Sequence, residues 1–241
     1  MKKLTLSTAI LALTASVALA GSHSVVRMGT EGAYPPYNFI NDDGEVDGFE
    51  RELGDELCKR AELTCEWVTN EWDSIIPNLV SGNYDTIIAG MSITDERDEV
   101  IDFTQNYIPP EASAYVALSE DADLMGVIAS QTSTIQSGYI AESGATLLEF
   151  ATGDEIIAAV RSGEADAAFF QGSFLEPIVA ESDDLMFVGE PVALGGGVGI
   201  GMRESDGELK AKFDAAIDSM KADGTLNEML IKWFGEDQVT Y

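Results

Sequence analysis

The chain has 241 residues and is 45% apolar, which is enough to fold around one large or two small hydrophobic cores. Its 43 acidic residues against 13 basic ones give a formal net charge of −30. Such a surface repels nucleic acids and anionic membranes, so we expect neither of these among its partners.

The first 20 residues combine two lysines with an apolar run that ends in Ala18-Leu19-Ala20. This is the pattern of a secretory signal peptide with a small-residue cleavage site. A membrane anchor is a weaker interpretation, because the run is short and contains hydroxyl side chains. We therefore predict an exported, periplasmic protein that begins near Gly21, with 11 basic and 43 acidic residues and a net charge of about −32.

The first part of the mature chain alternates strands and helices. Hydrophobic patterns predict strands at 25–29, 64–68 and 86–89, with helices at 49–61 and from 71 onwards. Alternation at this spacing predicts a parallel sheet with crossover helices. Loops at strand ends are where open α/β sheets bind ligands, which makes Glu31, Tyr34 and Trp72 candidates for a site. The alternatives are ordinary loop surface for the first two and a core tryptophan for the third.

Arg97 is the only basic residue between positions 61 and 160, a stretch with 18 acidic residues. Ser92 and Thr94 can each cap the helix that follows the third strand, and Arg97 falls in its first turn. Helix amides, the Ser92 hydroxyl and the guanidinium would then face one point, which predicts an anion or carboxylate site. The alternative is a surface ion pair with a neighbouring acid such as Asp95.

A second strand and helix series follows the break at Pro109-Pro110. We predict strands at 127–129, 146–149, 167–170 and 186–188, and helices at 135–142, 153–162 and 173–181. The hydroxyl-rich turn at 130–134 precedes a helix, as the turn around Ser92 does. Glycine-rich 194–201 lacks a phosphate-loop pattern and is read as a crossover strand, and closing helices at 205–223 and 225–234 should pack on the first half.

Cys58 and Cys65 leave two interpretations open. An exported chain meets oxidising conditions, where they would form a disulfide; the alternative is two buried free thiols. His23 is the only histidine and lies beside the predicted cleavage point, so we expect no metal and no other cofactor.

Several motifs together resemble one family, the periplasmic solute-binding proteins of polar amino acid ABC importers (family 3). They are Thr30-Glu31-Gly32-Ala33-Tyr34-Pro35-Pro36-Tyr37-Asn38-Phe39, Gly48-Phe49-Glu50, Trp72-Asp73-Ser74-Ile75-Ile76-Pro77-Asn78-Leu79, Met91-Ser92-Ile93-Thr94-Asp95-Glu96-Arg97, Asp102-Phe103-Thr104, Gly163-Glu164-Ala165-Asp166-Ala167 and Ala222-Asp223-Gly224-Thr225-Leu226. The two cysteines also resemble the disulfide of the lysine/arginine/ornithine and histidine branch of this family.

The resemblance implies an α/β, two-lobed periplasmic binding protein fold (type II). Each lobe would be a mainly parallel sheet flanked by helices, and a two-stranded hinge would join the lobes. On this interpretation residues 1–20 are the signal peptide, 21–110 with 192–241 form lobe 1, and 111–191 form lobe 2.

The resemblance also implies a ligand site with a role for each residue type. Arg97 would bind the α-carboxylate of an amino acid, assisted by the Ser92 region and by Thr132 or Ser133, while Ala89 and Gly90 would supply backbone contacts. Tyr34 and Trp72 would sandwich the ligand side chain, and Glu31 and Glu50 stand where members that bind basic ligands have acids. Aromatic faces and carboxylates suit a cationic group. For Glu50, an acid that suits the helix dipole is the structural alternative.

Gln171 departs from the family pattern, in which an aspartate pairs with the α-ammonium group. With an amide here, a primary α-ammonium group would lose a charge-assisted contact of about 1.5–3 kcal/mol, so we expect the α-nitrogen to be substituted or differently placed. The opine-binding branch of the family also lacks this aspartate. We therefore expect a monomeric, non-enzymatic protein that delivers a small cationic amino acid, or an N-substituted relative such as an opine, to an ABC importer permease. The rival is an enzyme similar to cyclohexadienyl dehydratases, with Glu31 or Glu50 as its acid.

Overall fold

The computed structural model describes residues 25–236 and 238–241. The predicted signal peptide and His23 lie outside the described residues. No helix in the described part of the chain is both long and apolar enough to span a bilayer.

Thirteen strands and eight α-helices make up the described structure. The strands are β1 (Val26–Thr30), β2 (Ala33–Tyr34), β3 (Asn38–Ile40), β4 (Val46–Asp47), β5 (Cys65–Thr69), β6 (Thr86–Ile87), β7 (Asp102–Phe103), β8 (Ala112–Ala117), β9 (Val127–Gln131), β10 (Thr146–Phe150), β11 (Ala167–Gln171), β12 (Met186–Ala193) and β13 (Gly201–Met202). The helices are α1 (Phe49–Arg60), α2 (Ile75–Val80), α3 (Asp95–Asp98), α4 (Ile135–Ser143), α5 (Gly153–Ser162), α6 (Gly172–Ala180), α7 (Gly207–Asp223) and α8 (Thr225–Phe234).

Two five-stranded sheets define two lobes. Lobe 1 is built on the sheet β5-β1-β6-β13-β7 and also contains the small sheet β2-β3-β4, while lobe 2 is built on β10-β9-β11-β8-β12. In each large sheet four strands run in one direction, and one strand, β13 in lobe 1 and β8 in lobe 2, pairs antiparallel with both of its neighbours. The two-lobed α/β fold is therefore confirmed, with more antiparallel pairing than expected because the chain leaves and re-enters lobe 1.

The chain crosses between the lobes twice, after β7 and after β12. The two crossing segments pair antiparallel, with Val198 N–H donating to the Ile108 carbonyl at 3.0 Å and Tyr107 N–H donating to the Val198 carbonyl at 2.8 Å. These segments form the two-stranded hinge. Strand β12 runs across position 192, and the lobe limits at 110 and 192 stay a prediction.

Local sequence explains where the helices begin, end and pack. Thr152 and Glu155 form a capping box at the start of α5, and Gly224 ends α7 in the left-handed region with φ of +83°. In α1 the side chains of Phe49, Leu53 and Leu57 are fully buried, and each contributes about 1.5–3 kcal/mol by burial. The regularly spaced apolar side chains of α1 therefore form the face by which this helix packs on the core of lobe 1.

Two predictions of local structure need correction. The helix expected from 71 begins as a short 3-10 turn at Trp72–Ser74 before α2. The helix after Ser92 is a single turn, α3, and its cap is the Thr94 hydroxyl, which accepts the Arg97 N–H at 3.2 Å. Helix α3 is limited to one turn because the chain then turns back into β7. It is therefore too short to provide the helix N-terminus that we expected.

A disulfide joins Cys58 at the end of α1 to Cys65 at the start of β5, with 6.3 Å between the Cα atoms. The disulfide interpretation of these two residues is thus confirmed, and that of two free thiols is wrong. The bond fixes the end of α1 to β5, the edge strand of the lobe 1 sheet opposite β7.

Candidate functional site

A small pocket lies in the cleft between the lobes. Lobe 1 lines it with Glu31, Tyr34, Trp72, Ala89, Gly90, Ser92 and Arg97, and lobe 2 lines it with Gln131, Thr134, Ile135, Gln136, Phe170 and Gln171. The structure therefore brings together eight of the eleven residues predicted to bind a ligand.

Arg97 enters the pocket from α3 and is held in place by two backbone carbonyls. Its Nη1 donates to the Ser92 carbonyl at 2.9 Å, and its Nη2 donates across the cleft to the Ser133 carbonyl at 3.2 Å. A guanidinium has five N–H donors, so three remain for a ligand. Burial lowers the pKa of Arg97 to about 10, which leaves the group charged at neutral pH.

No ion pair of the described residues includes Arg97. The surface ion pair weighed as the alternative is therefore not what the side chain makes. Its guanidinium carbon instead lies 5.4 Å from the centroid of the Trp72 ring, a cation–π contact. A partly buried positive charge with free planar donors is suited to a carboxylate.

Glu31 provides negative charge in the same pocket. Burial raises its pKa to about 7, although a hydrogen bond from Gln131 opposes this effect, and the nearby charges of Glu50 and Glu71 raise the pKa further. The bond from Gln131 Nε2 to Glu31 Oε1 is 2.7 Å long and connects the two lobes. The carboxylate can therefore pair with a ligand cation when ionised.

Tyr34 is 5% exposed and packs directly over Gly90. A Cβ atom at position 90 would lie 2.6 Å from Tyr34 Cε1, and the φ of +62° also favours glycine there. The rings of Tyr37 and Phe174 stack on Tyr34 at centroid distances of 4.7 and 5.1 Å. Tyr34 is thus already stacked on protein rings, and its sandwich of a ligand with Trp72 stays a prediction.

Gln171, at the end of β11, forms hydrogen bonds to lobe 1. Its Oε1 accepts from the Tyr34 hydroxyl at 2.8 Å, and its Nε2 donates to the Tyr37 hydroxyl at 2.7 Å. The Nε2 also donates to Glu111 Oε1. The side chain is buried, so these contacts fix which end of the amide faces the pocket.

Three of the predicted residues do not line the pocket. Glu50 is fully buried behind Gly90, whose N–H donates to Glu50 Oε1 at 2.7 Å. Ser133 takes part through its backbone carbonyl, which accepts from Arg97, and Thr132 N–H donates to the Phe150 carbonyl at 2.9 Å. Direct ligand contacts by these three side chains stay a prediction.

Glu50 holds the loop that forms one wall of the pocket. Besides Gly90, the Tyr107 hydroxyl donates to its Oε1, and Asn38 Nδ2 donates to its Oε2 at 2.6 Å. Burial raises its pKa, and these three donors oppose that effect. Its position indicates a structural contribution to the geometry of Gly90.

Five lining residues of lobe 2 were not predicted as ligand-binding: Gln131, Thr134, Ile135, Gln136 and Phe170. One signal was available, because Gln131 and Thr134 lie in the hydroxyl-rich turn that precedes α4. Gln136 could not be distinguished from an ordinary helix residue, since only the fold turns it towards Ser113, to which its Nε2 donates at 3.0 Å.

The pocket therefore combines a partly buried guanidinium, a partly buried carboxylate, aromatic surface and neutral amides. It can hold a small molecule that has both a carboxylate and a cationic group. The described residues contain no group of three or more His, Cys, Asp or Glu side chains that could hold a metal ion.

Comparison with known proteins gives a consistent result. The chain matches the bacterial extracellular solute-binding proteins, family 3, over residues 26–236. An L-arginine-binding protein of Pseudomonas aeruginosa is 32% identical over 256 residues, which cover 98% of either chain. The octopine-binding periplasmic protein of Rhizobium meliloti is 30% identical over 274 residues, which cover 90% of this chain and 92% of that one.

A solved structure is similar at a higher level of identity. It is a periplasmic His/Glu/Gln/Arg/opine family-binding protein from Silicibacter pomeroyi in complex with lysine, 79% identical, with a TM-score of 0.89 and coverage of 90% of this chain and 100% of that chain. Since the family match spans nearly all described residues and these relatives are covered almost completely, the chain belongs to the bacterial extracellular solute-binding proteins, family 3.

Proposed function

We propose that this chain captures a small cationic amino acid of the lysine, arginine or ornithine type and delivers it to an ABC importer. The main support is the Arg97 guanidinium, which faces the pocket without a carboxylate partner among the described residues and shares that pocket with Glu31. Arg97 would bind the α-carboxylate, and Glu31 would pair with the cationic end of the ligand.

The relatives support this ligand class. One is named for L-arginine, and another was solved in complex with lysine. The aromatic side chains in the pocket also suit an ammonium or guanidinium group. A neutral ligand would cover the partly buried Glu31 carboxylate without supplying a cation, which is unfavourable for its charge.

An N-substituted amino acid such as an opine is the second candidate. Gln171 favours it, because an amide at this position makes no ion pair with a primary α-ammonium group, and one relative is named for octopine. Both candidates use Arg97 in the same role. They differ in the groups around the α-nitrogen, where lobe 2 lines the pocket.

We propose that the chain is a binding protein without catalytic activity, as its relatives are named. A dehydratase-like reaction would use Glu31 as an acid, since its pKa of about 7 lets it hold a proton. Recovery of bound ligand unchanged after long incubation, checked by mass spectrometry, supports the binding role, and a dehydrated product would contradict it.

The place of action that we propose is the periplasm, with the mature chain as a monomer that a permease recognises when its lobes are closed. Amino-terminal sequencing of the exported protein should begin near Gly21. Gel filtration of the mature protein should give a mass close to that of one chain.

The direct test is a ligand screen of purified mature protein by thermal shift and calorimetry. A ligand that binds only the folded state raises the melting temperature, so lysine, arginine or ornithine should raise it most. Glutamine and alanine serve as neutral controls and should have little effect. A response to octopine alone would favour the second candidate, and a response to neutral amino acids alone would contradict both.

A further inference from the structure

Glu111 is a carboxylate beside the pocket that makes no ion pair. It lies just before β8, and its Oε1 accepts from the Tyr37 hydroxyl at 2.6 Å, from Ser173 Oγ at 2.9 Å and from Gln171 Nε2. All three donors are neutral, and no ion pair of the described residues includes Glu111. A partly buried carboxylate in such a setting is stabilised when a cation comes near.

Glu111 lies beside the end of the cleft that Ser92 and Gln171 line. A smaller space is lined by Glu111 and shares Ser92, Ile135, Gln136 and Gln171 with the main pocket. Ser92 is the residue whose carbonyl accepts from Arg97 Nη1. The α-nitrogen of an amino acid is two bonds from its carboxylate carbon, so the α-ammonium group is the cation that can reach this end.

The contacts of Gln171 fix what this residue presents to a ligand. Both donors of its amide are used, one by the Tyr37 hydroxyl at 2.7 Å and the other by Glu111. Only Oε1 remains, and it already accepts from Tyr34 and has one further acceptor site. Gln171 can therefore accept from an ammonium group, with the negative charge of Glu111 directly behind its amide.

Building on the proposed function, we propose that Glu111 is a positioning residue that acts through Gln171 and supplies the negative charge for the ligand α-ammonium group. Its bond to Gln171 Nε2 orients the Gln171 oxygen towards the ligand. Its negative charge stabilises the α-ammonium group from the other side of the amide. It thereby determines specificity for α-amino acids over ligands that have a carboxylate and a distal ammonium group but no α-nitrogen.

The test compares lysine with 6-aminohexanoate, which is lysine without its α-amino group. Calorimetry on Glu111→Gln should give about 10-fold to 100-fold weaker lysine binding, the loss expected for one charge-assisted contact. Binding of 6-aminohexanoate should change less than about 3-fold by the same reasoning. Glu120→Gln is the matched control, because it removes the same charge at an exposed site beyond the other end of β8 and should leave both affinities unchanged.

Relocation of the charge separates the proposed role from a merely structural one. In the double variant Glu111→Gln with Gln171→Asp, a carboxylate stands at the pocket itself, so most of the lost lysine affinity should return. This variant decides the matter where 6-aminohexanoate binds too weakly to measure. Circular dichroism and melting curves without ligand show whether each variant is folded.

Three results would overturn the assignment. They are unchanged lysine affinity in Glu111→Gln, equal loss for lysine and 6-aminohexanoate, and no recovery in the folded double variant. Each of these leaves the proposed function standing, since the wild type still binds lysine. Failure of the wild type to bind any α-amino acid would overturn the proposed function, and the role of Glu111 with it.

Discussion

The two walls of the cleft differ in chemistry. Lobe 1 lines the pocket with the charged side chains of Arg97 and Glu31, whereas the described lining residues of lobe 2 are neutral, with three glutamine amides. Two of these amides, Gln131 and Gln171, bond to lobe 1 groups across the cleft. On the proposed function, lobe 1 would contact the ligand charges directly, whereas lobe 2 would contact the ligand through neutral amides, one of which has the Glu111 carboxylate behind it.

The largest effect should come from Arg97→Ala on the lobe 1 wall. Loss of the guanidinium leaves the ligand carboxylate buried without a partner, which costs about 3–5 kcal/mol, or roughly 1000-fold in affinity. Calorimetry with lysine measures it. Arg161→Ala is the control, because Arg161 is exposed and pairs with Asp184 on the surface of lobe 2. Lysine affinity within 3-fold of the wild type would contradict the carboxylate role of Arg97.

Glu31→Gln should produce the next largest effect, with loss of preference for cations. Removal of a charged partner costs about 1.5–3 kcal/mol with lysine and much less with a neutral amino acid. Glu45→Gln, an exposed acid of lobe 1, is the matched control. If the variant kept the wild-type ratio of lysine to glutamine affinity, Glu31 would not determine the preference for cationic ligands.

The raised pKa of Glu31 adds a pH dependence. Above its pKa of about 7 the carboxylate is ionised and pairs with the ligand, and below this pH it is neutral. Lysine affinity of the wild type should therefore fall as the pH is lowered from 8 to 6, and Glu31→Gln should show a flat profile. Equal profiles for the two proteins would contradict this assignment.

The same difference between the lobes explains what the sequence could predict. The α/β order and most element positions followed from periodicity. Conspicuous residues, such as the lone Arg97 in an acidic stretch, indicated part of the lobe 1 wall, whereas Ala89 and Gly90 came from the family resemblance. Charged residues are rarely buried without a partner, so an isolated charged residue in a sequence suggests a binding site. Neutral amides are common on protein surfaces. The sequence around Gln136 therefore does not distinguish a residue that lines a pocket from one that is exposed to solvent.

Glu50 is the opposite case to Gln136: the sequence singled it out, but only the fold shows what it contacts. The sequence gives an acid in the first turn of α1, but not that Gly90 lies 40 positions later against its carboxylate. Likewise, α3 could not be recognised as one turn, because its length depends on where β7 joins the sheet. Contacts between residues far apart in the chain are what the sequence patterns left out.

Glu50→Gln should therefore affect stability more than ligand selectivity. Donors face both oxygens, Gly90 N–H and Tyr107 on one side and Asn38 Nδ2 on the other. Asn38 cannot turn its amide round without losing the bond that its Oδ1 accepts from Gly32 N–H. Either orientation of a glutamine then leaves a buried donor without an acceptor, at a cost of about 1–3 kcal/mol.

Urea unfolding without ligand measures this cost, and lysine and glutamine affinities of the same variant measure selectivity. The matched comparison is Glu31→Gln, in which selectivity should change and the free energy of unfolding should change less. A Glu50→Gln variant of normal stability that has lost its preference for cations would place Glu50 among the ligand contacts after all.

The smallest expected effect, Gln131→Ala, separates the two walls most directly. Loss of one hydrogen bond from lobe 2 to the Glu31 carboxylate should weaken lysine binding by about 1 kcal/mol, roughly 5-fold. The same bond lowers the pKa of Glu31, so the pKa should rise without it, and the pH midpoint of lysine affinity should move upward. In Gln136→Ala, whose amide bonds to Ser113 within lobe 2, the midpoint should stay in place. If both variants shifted the midpoint equally, lobe 2 would act on ligand charge through closure as a whole, and the division of roles between the walls would be wrong.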